Sequence, residues 1–183
     1  AAGGQLGGAR AGVVPHHPLV PDEACRALFV TMCHKDRVVV PSAMSGETNR
    51  LLAMARELSP AQATPELMRE LDMIAATGEQ VSVGLLAIAL QAEGMQAISY
   101  TGWQVPVLTD SAYTKARIQH IDDQRVRADL AEGKVVIITG FQGIDGQGHI
   151  TTLGRGGSDT SAVAVAAAVV VVVGSLISGQ PRS

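Results

Sequence analysis

Aromatic side chains are scarce in this chain, with one Trp, two Tyr and two Phe among 183 residues. That scarcity argues against an aromatic-rich β-sandwich. The apolar content, 46% of the sequence, is carried by Ala and Val instead, which suits closely packed strands and helices. A basic excess is also missing. The formal net charge is −3, and nothing in the charge pattern suggests a nucleic-acid surface. Cysteine is limited to Cys25 and Cys33, without a second pair or a His at zinc spacing. They read as two reduced thiols of a cytoplasmic protein. His16 and His17, flanked by Pro15 and Pro18, lack further ligands and read as an extended exposed segment. No basic n-region opens the chain, so no secretory signal is expected. A membrane span is not expected either. Ala162 to Ile177 is a 16-residue apolar run interrupted only by Gly174 and Ser175, against roughly 20 residues for a spanning helix. A buried helix is the better expectation there, although Val169 to Val173 would also suit the start of a buried strand.

Several catalytic signatures are absent as well. There is no GxxxxGK[ST] phosphate loop. The run Gly3 to Gly8 has glycines but no following Lys and no preceding strand. No Gly-x-Ser-x-Gly elbow occurs.

What is present is an alternation of short β-branched runs and helical spacings. Val38 to Val40 reads as a strand ending in a polar loop. Arg50 to Leu58 repeats apolar positions at helical spacing. Thr64-Pro65 reads as an N-cap followed by Pro at the first helical position, opening a helix with Leu67, Leu71 and Ile74 on one face. Gly78 is expected to interrupt it, with a second helix from Gln80 to Ala92. Ala97 to Tyr100, Val105 to Leu108 and Val135 to Thr139 read as extended, and Asp122 to Ala131 as an amphipathic helix. This order predicts an α/β fold with a mainly parallel sheet, one domain-sized unit with no internal repeat. Ligands of such sheets collect beyond the carboxyl ends of the strands. The loops after Val40, Thr139 and Leu153 are therefore the places to look for chemistry.

The strongest of these is Gly154-Arg155-Gly156-Gly157-Ser158-Asp159-Thr160, followed directly by an apolar helix. A helix start presents unpaired N–H groups and partial positive charge, and glycines let an anion approach that backbone closely. Arg155 adds a planar fork suited to a carboxylate or phosphate. Ser158 or Asp159 can cap the helix, and Asp159 can alternatively serve a metal or an ammonium group. The loop Ser42 to Asn49 offers three hydroxyls and a Gly, enough to line a small polar pocket. Helix capping by Thr48 or Asn49 explains it equally well. Glu79, at the expected Gly break, can hold a substrate ammonium or cap its own helix.

Together, the segments VVVPSAMSGETNRLL, ELDMIAATGEQVSVGLLAIAL, SYTGWQVPVLTDSAYTKARI and VVIITGFQGIDGQGHITTLGRGGSDTSAVAVAAA resemble the aspartate kinases of the amino-acid kinase superfamily. The resemblance runs from about Val38 to Ala168. It implies a three-layer αβα sandwich with a mainly parallel sheet, here incomplete. It also implies a cytoplasmic enzyme that phosphorylates the side-chain carboxylate of L-aspartate with MgATP. The product would be 4-phospho-L-aspartate, on the way to lysine, threonine and methionine.

By motif, Ser42 and Thr48 would contact the substrate side of the pocket, Glu79 the aspartate ammonium, and Arg155 its carboxylate with Ser158 alongside. Phe141 would line the pocket. Asp159 would organise the site near the phosphates, with Arg155 as its partner in catalysis, and Gly156 and Gly157 would meet the nucleotide. ATP and Mg²⁺ are the implied cofactors, with no metal cage of protein ligands. No nucleic-acid or membrane partner is implied, and a homo-oligomer is compatible. The attacking carboxylate is already ionised at neutral pH, so positioning and charge stabilisation suffice without a general base. Residues 1–37 and 169–183 are expected to be atypical end segments around a 38–168 kinase domain. The family's Lys-Phe-Gly-Gly-Thr-Ser loop and its later nucleotide-binding segment have no counterpart here. A non-catalytic amino-acid-binding or subunit-interaction fragment of such a kinase is the alternative.

Overall fold

The computed structural model describes residues 38–59, 64–154 and 156–178. The expectations placed on Cys25, Cys33, His16, His17 and a helix after Asp22 lie outside the described residues, as does Arg155.

The centre is a parallel three-stranded sheet. β1 (Val38–Val39) and β2 (Ala97–Tyr100) both pair with β5 (Val135–Ile138), giving the order β1-β5-β2. Strand β5 is β-branched throughout and buried at every position, as a central strand covered on both faces must be. Alternate residues leave a strand on opposite faces. Val135 and Ile137 meet Val83, Ala87 and Leu90 of the long helix α2 (Pro65–Ala92). Val136 and Ile138 meet Val126 of α3 (Gln124–Ala131) and Val165 of α4 (Gly157–Ser178). Helices on both faces make the three-layer αβα arrangement that the sequence implied. Helix α1 (Glu47–Leu58) packs against α2.

Beside this core lies a four-stranded sheet in the order β4-β3-β6-β7. It comprises β3 (Val107–Thr109), β4 (Ile118–Ile121), β6 (Gln142–Ile144) and β7 (Ile150–Thr152). Two of its three pairings, β3 with β4 and β6 with β7, are antiparallel. Strands of three or four residues give little alternation to detect, so the sequence pattern showed β6 only as a loop and β4 not at all.

Gly78 does not interrupt α2. It is buried within one continuous 28-residue helix. A Cβ there would lie 3.1 Å from the Cβ of Ala43 and 3.6 Å from Cγ of Glu47. The glycine lets the loop after β1 and the start of α1 approach the helix. By length and hydropathy α2 passes for a membrane span. It is instead a core helix, and it carries two buried carboxylates, Asp72 and Glu79.

Helix α4 is helical in backbone through Ser178, valine run included. Its burial is one-sided where side chains are described: Ser161 and Val165 face inward, whereas Val163 is 71% exposed. The expected burial of the whole run therefore does not hold for this part.

Candidate functional site

The carboxyl ends of β1 and β5 open onto a cavity of about 570 Å³. Four segments supply most of its walls. The loop after β1 and the first turn of α1 bring Ser42, Thr48 and Asn49. Helix α2 brings Leu71, Asp72, Ala75 and Glu79. The turn after β5 brings Phe141, and the glycine-rich turn after β7 brings Gly154, Gly156, Gly157, Ser158 and Asp159. Every site residue proposed from sequence and described in the structure thus lies on one cavity.

Glu79 is the most unusual of these groups. It is 3% exposed, yet only one of its carboxylate oxygens is engaged. Oε1 accepts the N–H of Ala43 at 3.3 Å. Oε2 is buried with no hydrogen-bond partner. A buried carboxylate oxygen without a partner is costly. Burial pushes the Glu79 carboxyl above its ordinary range, and the backbone N–H bonds it accepts offset this only in part. Lying inside a continuous helix, Glu79 caps nothing.

The capping readings of the other residues also fail. The N-cap of α1 is Gly46, with φ 79°, so Thr48 and Asn49 sit in the first turn. The first α-type bond of α4 runs from Thr160 N–H to Gly156 O, at 3.1 Å. Ser158 and Asp159 therefore lie past the cap, where the unpaired N–H groups of a helix start are found. Gly154 and Gly156 both adopt positive φ, 78° and 75°, which turns the chain sharply into the helix.

The packing under this turn is tight. A Cβ on Gly157 would fall 2.7 Å from Cδ2 of Phe141 and 2.9 Å from Cβ of Leu153. Phe141 itself has φ 65°, a conformation that side chains disfavour. It is held there by two hydrogen bonds: its N–H donates to Ser161 Oγ at 3.1 Å, and its carbonyl accepts Leu153 N–H at 2.8 Å.

Sequence reasoning overlooked Asp72, Thr114, Thr152 and Arg56, which also line the cavity. Asp72 left a signal. It shares with Ala75, Ala76, Glu79 and Val83 the buried stripe of α2, spaced i, i+3, i+4, i+7 and i+11, so it is an acid on an apolar face.

No group of three or more His, Cys, Asp or Glu side chains able to hold a metal occurs among the described residues. The cavity fits Mg²⁺ only as the ion is carried by a nucleotide. One carboxylate, Asp159, would be supplemented by phosphate oxygens and water, an arrangement common for this ion.

The sequence model of the Amino acid kinase family matches residues 22–172. The aspartate kinase of Pseudomonas fluorescens is 63% identical over 134 residues, covering 73% of this chain and 32% of that protein. The chain thus spans about a third of the length of the curated relatives it matches. The structure of the aspartate kinase from Synechocystis is 47% identical with a TM-score of 0.56, covering 72% of this chain and 21% of that one. E. coli aspartokinase III, solved with aspartate and ADP, shares the fold at a TM-score of 0.68 and 24% identity, over 79% of this chain and 43% of that one.

Proposed function

The chain belongs to the amino acid kinase family, and from that premise we propose that residues 38–168 form the aspartate-binding part of an aspartate kinase. The observation that carries this reading is the bare, buried Oε2 of Glu79 on a polar cavity that a glycine-rich helix start also lines. Such an oxygen suits an ammonium group, and such a helix start suits an anion. An α-amino dicarboxylate presents both. The 63% identity to an aspartate kinase supports aspartate within that class.

In this reading Glu79 receives the ammonium. Ser42 and Thr48 supply hydroxyls on the substrate side, and Phe141 closes the apolar wall. Arg155 pairs with a substrate carboxylate next to Ser158. Gly156 and Gly157 let the nucleotide phosphates approach the backbone, and Asp159 would hold the Mg²⁺ that those phosphates carry. MgATP supplies the phosphoryl group. A side-chain carboxylate oxygen of aspartate attacks the γ-phosphorus, the bond to the ADP oxygen breaks, and an acyl phosphate and ADP result. No proton needs to be removed from the nucleophile. The chain's contribution is to hold the two reactants in line and to stabilise charge.

Titration calorimetry of the chain with L-aspartate, and separately with MgATP, tests this. Saturable aspartate binding is expected. Absence of any aspartate heat, with the fold intact by circular dichroism, would overturn the reading.

A further inference from the structure

Asp72 is the second buried carboxylate on the cavity, and its chemistry is the reverse of that of Glu79. The two lie seven residues apart on α2 and so share a face. Glu79 has a bare oxygen, whereas Asp72 has none to spare. Its Oδ1 accepts the Thr152 hydroxyl at 2.6 Å and Thr114 N–H at 3.0 Å. Its Oδ2 accepts Thr152 N–H and Thr114 N–H, each at 2.9 Å. With about four acceptor sites per carboxylate, little capacity remains for a ligand.

The segments it holds are the ones that place the glycine-rich turn. Thr114 has φ 67°, which a β-branched residue adopts only under outside constraint. Gly154 lies against it, and a Cβ on Gly154 would sit 3.2 Å from the Thr114 carbonyl oxygen. Thr152 ends β7, two residues before Gly154. Its carbonyl accepts Ala116 N–H at 2.8 Å, which ties the two segments to each other. Asp72 thus fastens α2 to both chains that flank the turn, while Glu79 rides on the same helix.

We propose that Asp72 is a positioning residue: by clamping Thr114 and Thr152 to α2, it sets the span between Glu79 and the Gly154–Gly157 turn, and so favours the four-carbon amino dicarboxylate over its five-carbon homologue. This rests on the reading of the cavity as the aspartate site. An amide in place of the carboxylate presents N–H to at least one backbone N–H, so Asp72→Asn opens one arm of the clamp with little change in volume. Thr152→Val is a gentler second variant that removes the hydroxyl arm and keeps the N–H.

The experiment is calorimetric titration of wild type and both variants with L-aspartate and L-glutamate, alongside amide hydrogen exchange. For Asp72→Asn we expect aspartate to weaken by roughly tenfold or more, the scale of losing a charge-assisted hydrogen bond. Glutamate should weaken less, so the preference for aspartate narrows. Exchange should quicken at Thr114, Thr152 and the Gly154–Gly157 turn, but not in β5. Thr152→Val should show the same pattern in smaller measure, and it decides the matter if the Asn variant does not fold. Unchanged affinity and preference, or equal weakening for both amino acids, would overturn the positioning role while wild type still binds aspartate. A flat wild-type titration would overturn the cavity reading and this inference with it.

Discussion

At the residue scale, two carboxylates on one helix face have been given different work by their partners. Both are pushed above the ordinary carboxylate range, chiefly by burial. A folded-state value above the unfolded one means that the native state holds more protons in the window between them. Stability is therefore full below the ordinary value, about 4.3 for Glu, and declines as pH rises through the raised value. An ammonium ligand favours the charged form of Glu79, so aspartate binding should tighten as pH rises through that same window. Affinity measured against pH should show this slope in wild type and a flatter one in Glu79→Gln. Arg155 belongs to the same scale. If it pairs with a substrate carboxylate, Arg155→Ala should weaken aspartate by about 2–4 kcal/mol, and Arg155→Lys should restore little, because the planar fork is lost. Unchanged affinity in the alanine variant would remove Arg155 from the site. Glu79 was legible in the sequence through its motif, although its local surroundings were not. The glycine beside it read as a helix break, and only the packing of Ala43 and Glu47 against Gly78 shows why a glycine is needed.

At the element scale, that glycine has a counterpart six residues further along α2. Nothing lies within 4 Å of a Cβ built on Gly84. Gly84→Ala should therefore stabilise the fold by about 0.5–1 kcal/mol, the helix-propensity gain alone. Gly78→Val should destabilise it by about 1–3 kcal/mol, since overpacking against Ala43 outweighs any gain in propensity. Urea midpoints of the two variants against wild type check both signs. The long helices and β5 were legible because burial leaves a strong pattern over many residues. Strands β4, β6 and β7 were not, because runs of three or four residues are too short for alternation to show, and what stabilises them is pairing and burial rather than intrinsic preference. The Gly154–Asp159 turn was legible as an anion-facing loop. The clamp beneath it was not, since Asp72 and Thr152 are 80 residues apart and meet only in the folded chain.

At the scale of the whole molecule, the fold brings to one cavity residues from five segments spread between Ser42 and Asp159. Among the described residues that line it, Arg56 is the only Lys or Arg. Phosphoryl transfer depends on stabilising developing charge, and loss of one preorganised donor commonly costs on the order of 100–1000-fold in rate. With so little positive charge on the described lining, turnover read by hydroxylamine capture of the acyl phosphate is expected to be slow. The most direct measurement compares L-aspartate with succinate, which keeps both carboxylates and lacks the amine. Competition titrations on wild type should show a clear preference for aspartate. Glu79→Gln should bring the two ligands close together while melting as a folded protein. Equal discrimination by wild type and Glu79→Gln would contradict the assignment of the buried Oε2 as the ammonium partner, and with it the reading of the cavity.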